Sequence, residues 1–171
     1  MCSSDLEKRS KKIDELLASN EYVDRWTMWL GDLVKNNVRN TQITRGNLAR
    51  DAFYQYIRQS VAENKPYNQF VTELITSNGN NEEVGQANWV VGGFMSMGPA
   101  QDTYDRQLVQ TATTFLGLRY FDCLLCHDGA GHLDNVNLWG AGVTRRQAWG
   151  MAAFYSRARM TRAANQIGRA H

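Results

Sequence analysis

The chain has 171 residues, 43% of them apolar and 11% aromatic, which is enough for one domain with a buried core and too apolar for disorder throughout. Its 19 Lys and Arg stand against 17 Asp and Glu, and this net charge of +2, interspersed along the chain, gives no electrostatic case for nucleic acid or an anionic membrane as partner. No apolar run approaches the about 20 residues needed for a membrane span, and no charged-then-apolar leader opens the chain.

Both ends read like translated sequencing adapter: residues 1–6 open with Met1 and Cys2, and residues 166–171 close on His171. On that reading residues 7–165 are a single helical domain fragment and the two tails are adapter-derived. Cys2 and His171 then have no function, and the missing leader says nothing about export.

Apolar spacing predicts a first short helix around Lys11 to Ser19, with Ile13, Leu16 and Leu17 as its stripe. A second, from Glu21 to Lys35, carries Tyr22, Val23, Trp26, Trp29, Leu30, Leu33 and Val34, a wide face expected to form the aromatic centre of the domain. Polar residues from Asn36 to Gly46 interrupt the pattern. Ala49, Ala52, Phe53, Tyr56, Ile57 and Val61 restore it in a third helix that ends before Pro66. Pro66 suits a first helical turn, and Phe70, Val71, Leu74 and Ile75 mark a short fourth helix before a turn-rich loop from Ser77 to Gly85.

The apolar but glycine-rich run from Asn88 to Pro99 fits helix and extended chain equally. A clearer helix follows from Asp102 to Leu116, with Tyr104, Leu108, Ala112, Phe115 and Leu116 on one face and Gly117 placed to end it. Gly129 to Gly142 reads as a glycine-rich loop. Thr144 and Gln147 form a capping-box pattern for a last helix running to about Met160, with Ala148, Met151, Ala152 and Tyr155 inward. With no strong period-two alternation and no internal repeat, the fold class is all-α: an irregular multi-helix domain.

The chemistry lies between the last two helices, in Cys123-Leu-Leu-Cys126-His127. A c-type haem needs two thiols to form thioethers with its two vinyl groups and an adjacent imidazole for its iron, and this pentapeptide supplies all three. Three Cys and three His scattered at random give such a string about one time in a thousand, so coincidence explains it poorly. Other chemistries use the same residues. Cys123 and Cys126 also suit a redox pair or disulfide. With His127 and His132 they make up four zinc ligands, although adjacent Cys126 and His127 make an awkward tetrahedron that Asp128 or Asp134 would relieve.

For the second face of a haem iron, Met95 and Met97 are the preferred candidates, since Met/His ligation is a recognised arrangement and both lie in a flexible run ending in Gly98 and Pro99. Filling core gaps is the plainer role for them. His132 lies only five positions after His127, which suits a supporting role better than the opposite face. Trp26, Trp29, Trp139 and Trp149 are candidates to pack on a macrocycle, with core packing the simpler expectation.

The segment Ile13 to Ser19, then Tyr22, Arg25, Trp26, Leu30, Asp32 and Leu33 at their spacings, then the run Asn64 to Val71, form an ordered set. With residues 115–118, the cysteine motif followed by Asp128, and the aromatic-rich last helix through Phe154, the set resembles the domain of unknown function found beside planctomycete cytochrome c domains. It covers most of residues 11–157. The resemblance implies a piece of a large exported bacterial protein, often with another cytochrome-like domain before it and an uncharacterised domain after it. It also implies a periplasmic or otherwise exported setting and a haem-linked redox role rather than a defined reaction. The chain departs from that pattern after Asp128. Where many members have another histidine and a Lys-Phe-Asp-Pro-like run, it has Gly129, Ala130, Gly131, His132, Leu133 and Asp134. A ligand role for the second histidine is correspondingly weakened.

The leading expectation is a helical domain that holds one covalent haem c through Cys123, Cys126 and His127 and exchanges electrons with a redox partner or an adjacent cytochrome-like domain. The alternative is a non-haem scaffold or interaction module whose cysteine site binds zinc or forms a disulfide. No catalytic triad, phosphate loop or paired-acid site accompanies the motif, so substrate turnover does not follow from the sequence.

Overall fold

The structure, a computed structural model, describes residues 3–39 and 45–161, which excludes Cys2 and His171. Its described residues form nine α-helices and one 3-10 turn, and among them there is no strand. The fold is all-α, as the apolar periodicities predict.

Helix α1 (Ser3–Leu17) begins well before the expected start at Lys11. From Leu6 onward it is exposed, including Ile13, Leu16 and Leu17. Ser19 caps α2 (Asn20–Leu33), its side chain accepting from the Tyr22 amide at 3.2 Å. This helix corrects one expectation: Trp26 and Trp29 are 42% and 51% exposed and form an edge-on pair with centroids 5.4 Å apart, not the centre of the domain. Thr27 and Val34 are buried at this helix instead. Apolar spacing identifies a stripe, whereas the neighbouring helix decides which part of it is covered, and here α2 presents a different edge to α3.

Helix α3 (Gly46–Ala62) buries Ala49, Phe53 and Ile57 as expected, and α4 (Tyr67–Thr76) buries Phe70 and Leu74. Part of the run left open in the sequence is helical: α5 (Ala87–Gly92) buries Trp89 before the chain becomes irregular from Gly93 to Pro99. These helices and Val34 enclose a first core of Val34, Phe53, Ile57, Phe70, Leu74 and Trp89.

Helix α6 (Ala100–Leu116) ends at Gly117, which adopts the left-handed φ of 69° that a glycine tolerates without strain. Leu108 and Ala112 face a second core with Phe121, Leu124, Leu125, Leu133, Ala148 and Ala152, while Phe115 packs on the first, so α6 bridges the two. Leu116, expected inward, is exposed. Thr103, Gln107 and Thr111 are buried as well. The Gln107 side chain donates to the Val90 carbonyl at 2.6 Å, giving α5 and α6 a polar seam.

The motif begins in α7 (Phe121–Leu124), and the glycine-rich loop after it contains the short α8 (Leu138–Ala141). Thr144 and Gln147 form the complete capping box of α9 (Arg145–Ala152), with each side chain bonded to the other's backbone. That helix stops earlier than expected, tightening into a 3-10 turn at Ala153–Tyr155. Ala148 and Ala152 are buried, Tyr155 is half-buried, and Met151, expected inward, is exposed.

Candidate functional site

The motif occupies slightly more than one helical turn. The amides of Cys126 and His127 both donate to the Cys123 carbonyl, at 3.0 and 2.9 Å, so the winding of α7 continues beyond its last regular residue. In such a turn, positions i, i+3 and i+4 share a face. Cys123, Cys126 and His127 are one such set and all three are exposed. Phe121, Leu124 and Leu125 are the other, and all three are buried in the second core. At 100° per residue the two sets point about half a turn apart, so burying one directs the other to solvent.

Both cysteines are free thiols. The Cys123 thiol is pushed up from its ordinary value, first by desolvation and then by the neighbouring Asp122 carboxylate. Asp122 also accepts the Cys123 amide at 3.0 Å.

After His127 the chain is fastened to α9. The Asp128 carboxylate accepts the Arg145 amide at 2.7 Å, and the Gly129 amide donates to the Val143 carbonyl at 2.9 Å. From α9, the Trp149 indole N–H donates back to the Leu125 carbonyl at 3.1 Å, with the Arg145 guanidinium over its ring at 4.1 Å. Gly129 lies so close to Gly140 that a Cβ there would meet the Gly140 carbonyl oxygen at 1.7 Å. Leu133 anchors the loop in the core, and Asp134 accepts the amide of Gly131, which has a φ of 82°. The loop returns His132 to His127, their ring centroids 4.7 Å apart and their planes 32° from parallel.

The other candidates lie elsewhere or are held otherwise. Met97 is 75% exposed. Met95 is half-buried, with its amide donating to the Thr103 hydroxyl and its sulfur facing Arg106 Nη1 at 3.7 Å. None of Trp26, Trp29, Trp139 and Trp149 is buried, and Trp139 packs its ring against Phe121 with centroids 5.6 Å apart. Local spacing gives Asp128 and Trp149 no positioning role. The capping box at Thr144 is the one signal for Asp128, because it marks where the unpaired first amides of α9 lie.

The donor set fits a c-type haem, with two free thiols and one imidazole on the same outward face. Among the described residues, no group of three or more His, Cys, Asp and Glu is arranged to hold a metal ion, so Cys123, Cys126, His127 and His132 do not form a ready zinc site. A haem iron would take only His127 from this set, so this observation does not bear against it.

No curated protein and no solved structure matches the chain. A family model described as PSCyt2, protein of unknown function (DUF1549), matches residues 2–159, and the chain belongs to that planctomycete cytochrome-associated family.

Proposed function

We propose that this is a c-type haem-binding, electron-transfer-associated domain of a larger exported bacterial protein. The observation that carries the reading is the outward set Cys123, Cys126 and His127, backed by a buried Phe121, Leu124 and Leu125. Membership of a cytochrome-associated family is consistent with it.

Cys123 and Cys126 would hold the haem through thioethers and His127 would bind its iron. When bound, such a group supplies one-electron chemistry. Met97 stands ahead of Met95 as the sixth ligand, because the Met95 sulfur is already engaged by Arg106 while Met97 projects to solvent beside Gly98, whose φ is 103°. His132, whose ring lies tilted beside that of His127, would support it as a neighbour. A neighbouring cytochrome-like domain or a separate redox protein would receive the electron.

The test is expression of the full chain behind an export signal with a bacterial haem-attachment system, read by a pyridine haemochrome spectrum and a haem-stained denaturing gel. Covalent haem that disappears in Cys123→Ala and in Cys126→Ala is the expected result. Folded, colourless protein with both thiols still reactive overturns the proposal and leaves the zinc or disulfide scaffold as the reading to pursue.

A further inference from the structure

We infer that α9 positions the haem-attachment face, with Asp128 and Trp149 as the positioning residues. What is positioned rests on the haem reading above; the clamp itself is a property of this chain. Helix α7 has four residues, far below the about 12 to 15 at which an isolated helix holds its own shape. The face shared by Cys123, Cys126 and His127 must therefore be imposed from outside the turn. The core does this on the inward side through Phe121, Leu124 and Leu125.

On the outward side the constraint comes from α9, and it brackets the two residues that matter. Trp149 holds the carbonyl of Leu125, immediately before Cys126. Asp128 and Gly129, immediately after His127, are held by the Arg145 amide and the Val143 carbonyl. Cys126 and His127 are thus strung between anchor points associated with one helix. Arg145 links the two ends, since its amide binds Asp128 while its side chain covers Trp149, four residues further along α9. The capping arrangement leaves room for this. Thr144 Oγ takes the Gln147 amide, so the Arg145 amide, which has no carbonyl partner within its own helix, is available to Asp128 at the end of α9 where the helix dipole favours an anion.

The experiment follows amide hydrogen exchange at Cys126 and His127 in the full chain, with Phe53 and Ile57 on α3 as references. Asp128→Ala and Trp149→Phe are each expected to speed exchange at the two motif amides by roughly five- to tenfold, the effect of losing one well-made hydrogen bond, while the α3 amides keep their rates. Asp128→Asn, whose amide oxygen can still accept from Arg145, is expected to remain within about twofold of the wild type. In haem-loaded protein, Trp149→Phe is expected to retain its full covalent haem and to show a shifted reduction potential. Exchange that rises equally at the motif and on α3, or at neither, overturns the inference. Should Asp128→Ala fail to fold, Trp149→Phe carries the same decision. If the wild type takes up no haem, the proposed function fails and the exchange data still decide the clamp.

Discussion

Gly129→Ala tests how tightly the loop after the motif is seated. A Cβ at this position would lie 1.7 Å from the Gly140 carbonyl oxygen, 2.7 Å from its carbon and 3.0 Å from Ala141 Cα, all of them backbone atoms without a rotamer to move. Reaching an ordinary contact requires the two strands of the loop to separate by about 1.5–2 Å. That movement also breaks the bond from the Gly129 amide to Val143, at 2.9 Å. Overpacking costs about 1–3 kcal/mol and an unpaired buried amide about 1–3 kcal/mol, giving roughly 2–6 kcal/mol together. With a urea slope of about 2 kcal/mol per molar, the midpoint should fall by about 1–3 M, followed through tryptophan fluorescence. Gly131→Ala is the internal control: its φ of 82° is strained for alanine, but nothing lies within 4 Å of the new Cβ, so about 1 kcal/mol is expected. If Gly129→Ala destabilises no more than Gly131→Ala, the close approach to Gly140 is not a constraint and the reasoning is wrong.

Leu124→Ala should lower stability by about 2–5 kcal/mol in the same titration, while Cys123→Ser, on the outward face, should change it by less than about 0.5 kcal/mol. Glu73 accepts from Lys65 Nζ, Gln69 Nε2 and Tyr56 Oη, and these contacts, Lys65 foremost, hold its carboxyl below the usual range. Its stabilising contribution is therefore present above the unfolded-state value of about 4.3 and is lost as pH falls through the lower folded value. The gap in urea midpoint between the wild type and Glu73→Gln should accordingly close on acidification. Arg45 is buried, with its guanidinium donating to the carbonyls of Lys35, Asn37 and Asn88, and burial lowers its pKa to about 10. Arg45→Met leaves three acceptors to find other donors and should lower thermal stability by about 2–4 kcal/mol, and Arg45→Lys should recover little of it because an ammonium cannot reproduce the fork.

The sequence carried most of the helical layout because α3 and α6 are long enough for their apolar spacing to repeat several times, and because Gly117 and the Thr144–Gln147 box mark boundaries by chemistry. The exposed Trp26 and Trp29 were not legible, since hydrophobicity identifies a surface that can be buried and not the helix that arrives to bury it. For α5 the glycines at 92 and 93 lowered helix propensity, and packing of Trp89 in the first core overrode it. The cysteine motif was legible as composition. Its geometry was not, because a four-residue helix spans barely one helical period, too little for the spacing to repeat. The contacts of Asp128 and Trp149 span 17 and 24 residues, beyond what local spacing can indicate.

The two interleaved triplets of residues 121–127 make chain length as well as composition a constraint. Removing or adding one residue before Cys123 would turn everything after it by about 100° relative to Phe121. A thiol would then approach the core as a leucine left it. The two unnamed positions of the Cys-x-x-Cys-His string, Leu124 and Leu125, are consequently the least interchangeable for folding although they take no part in the chemistry. Surface chemistry and interior packing are geared to each other here, so a change in either one propagates to the other within a single turn.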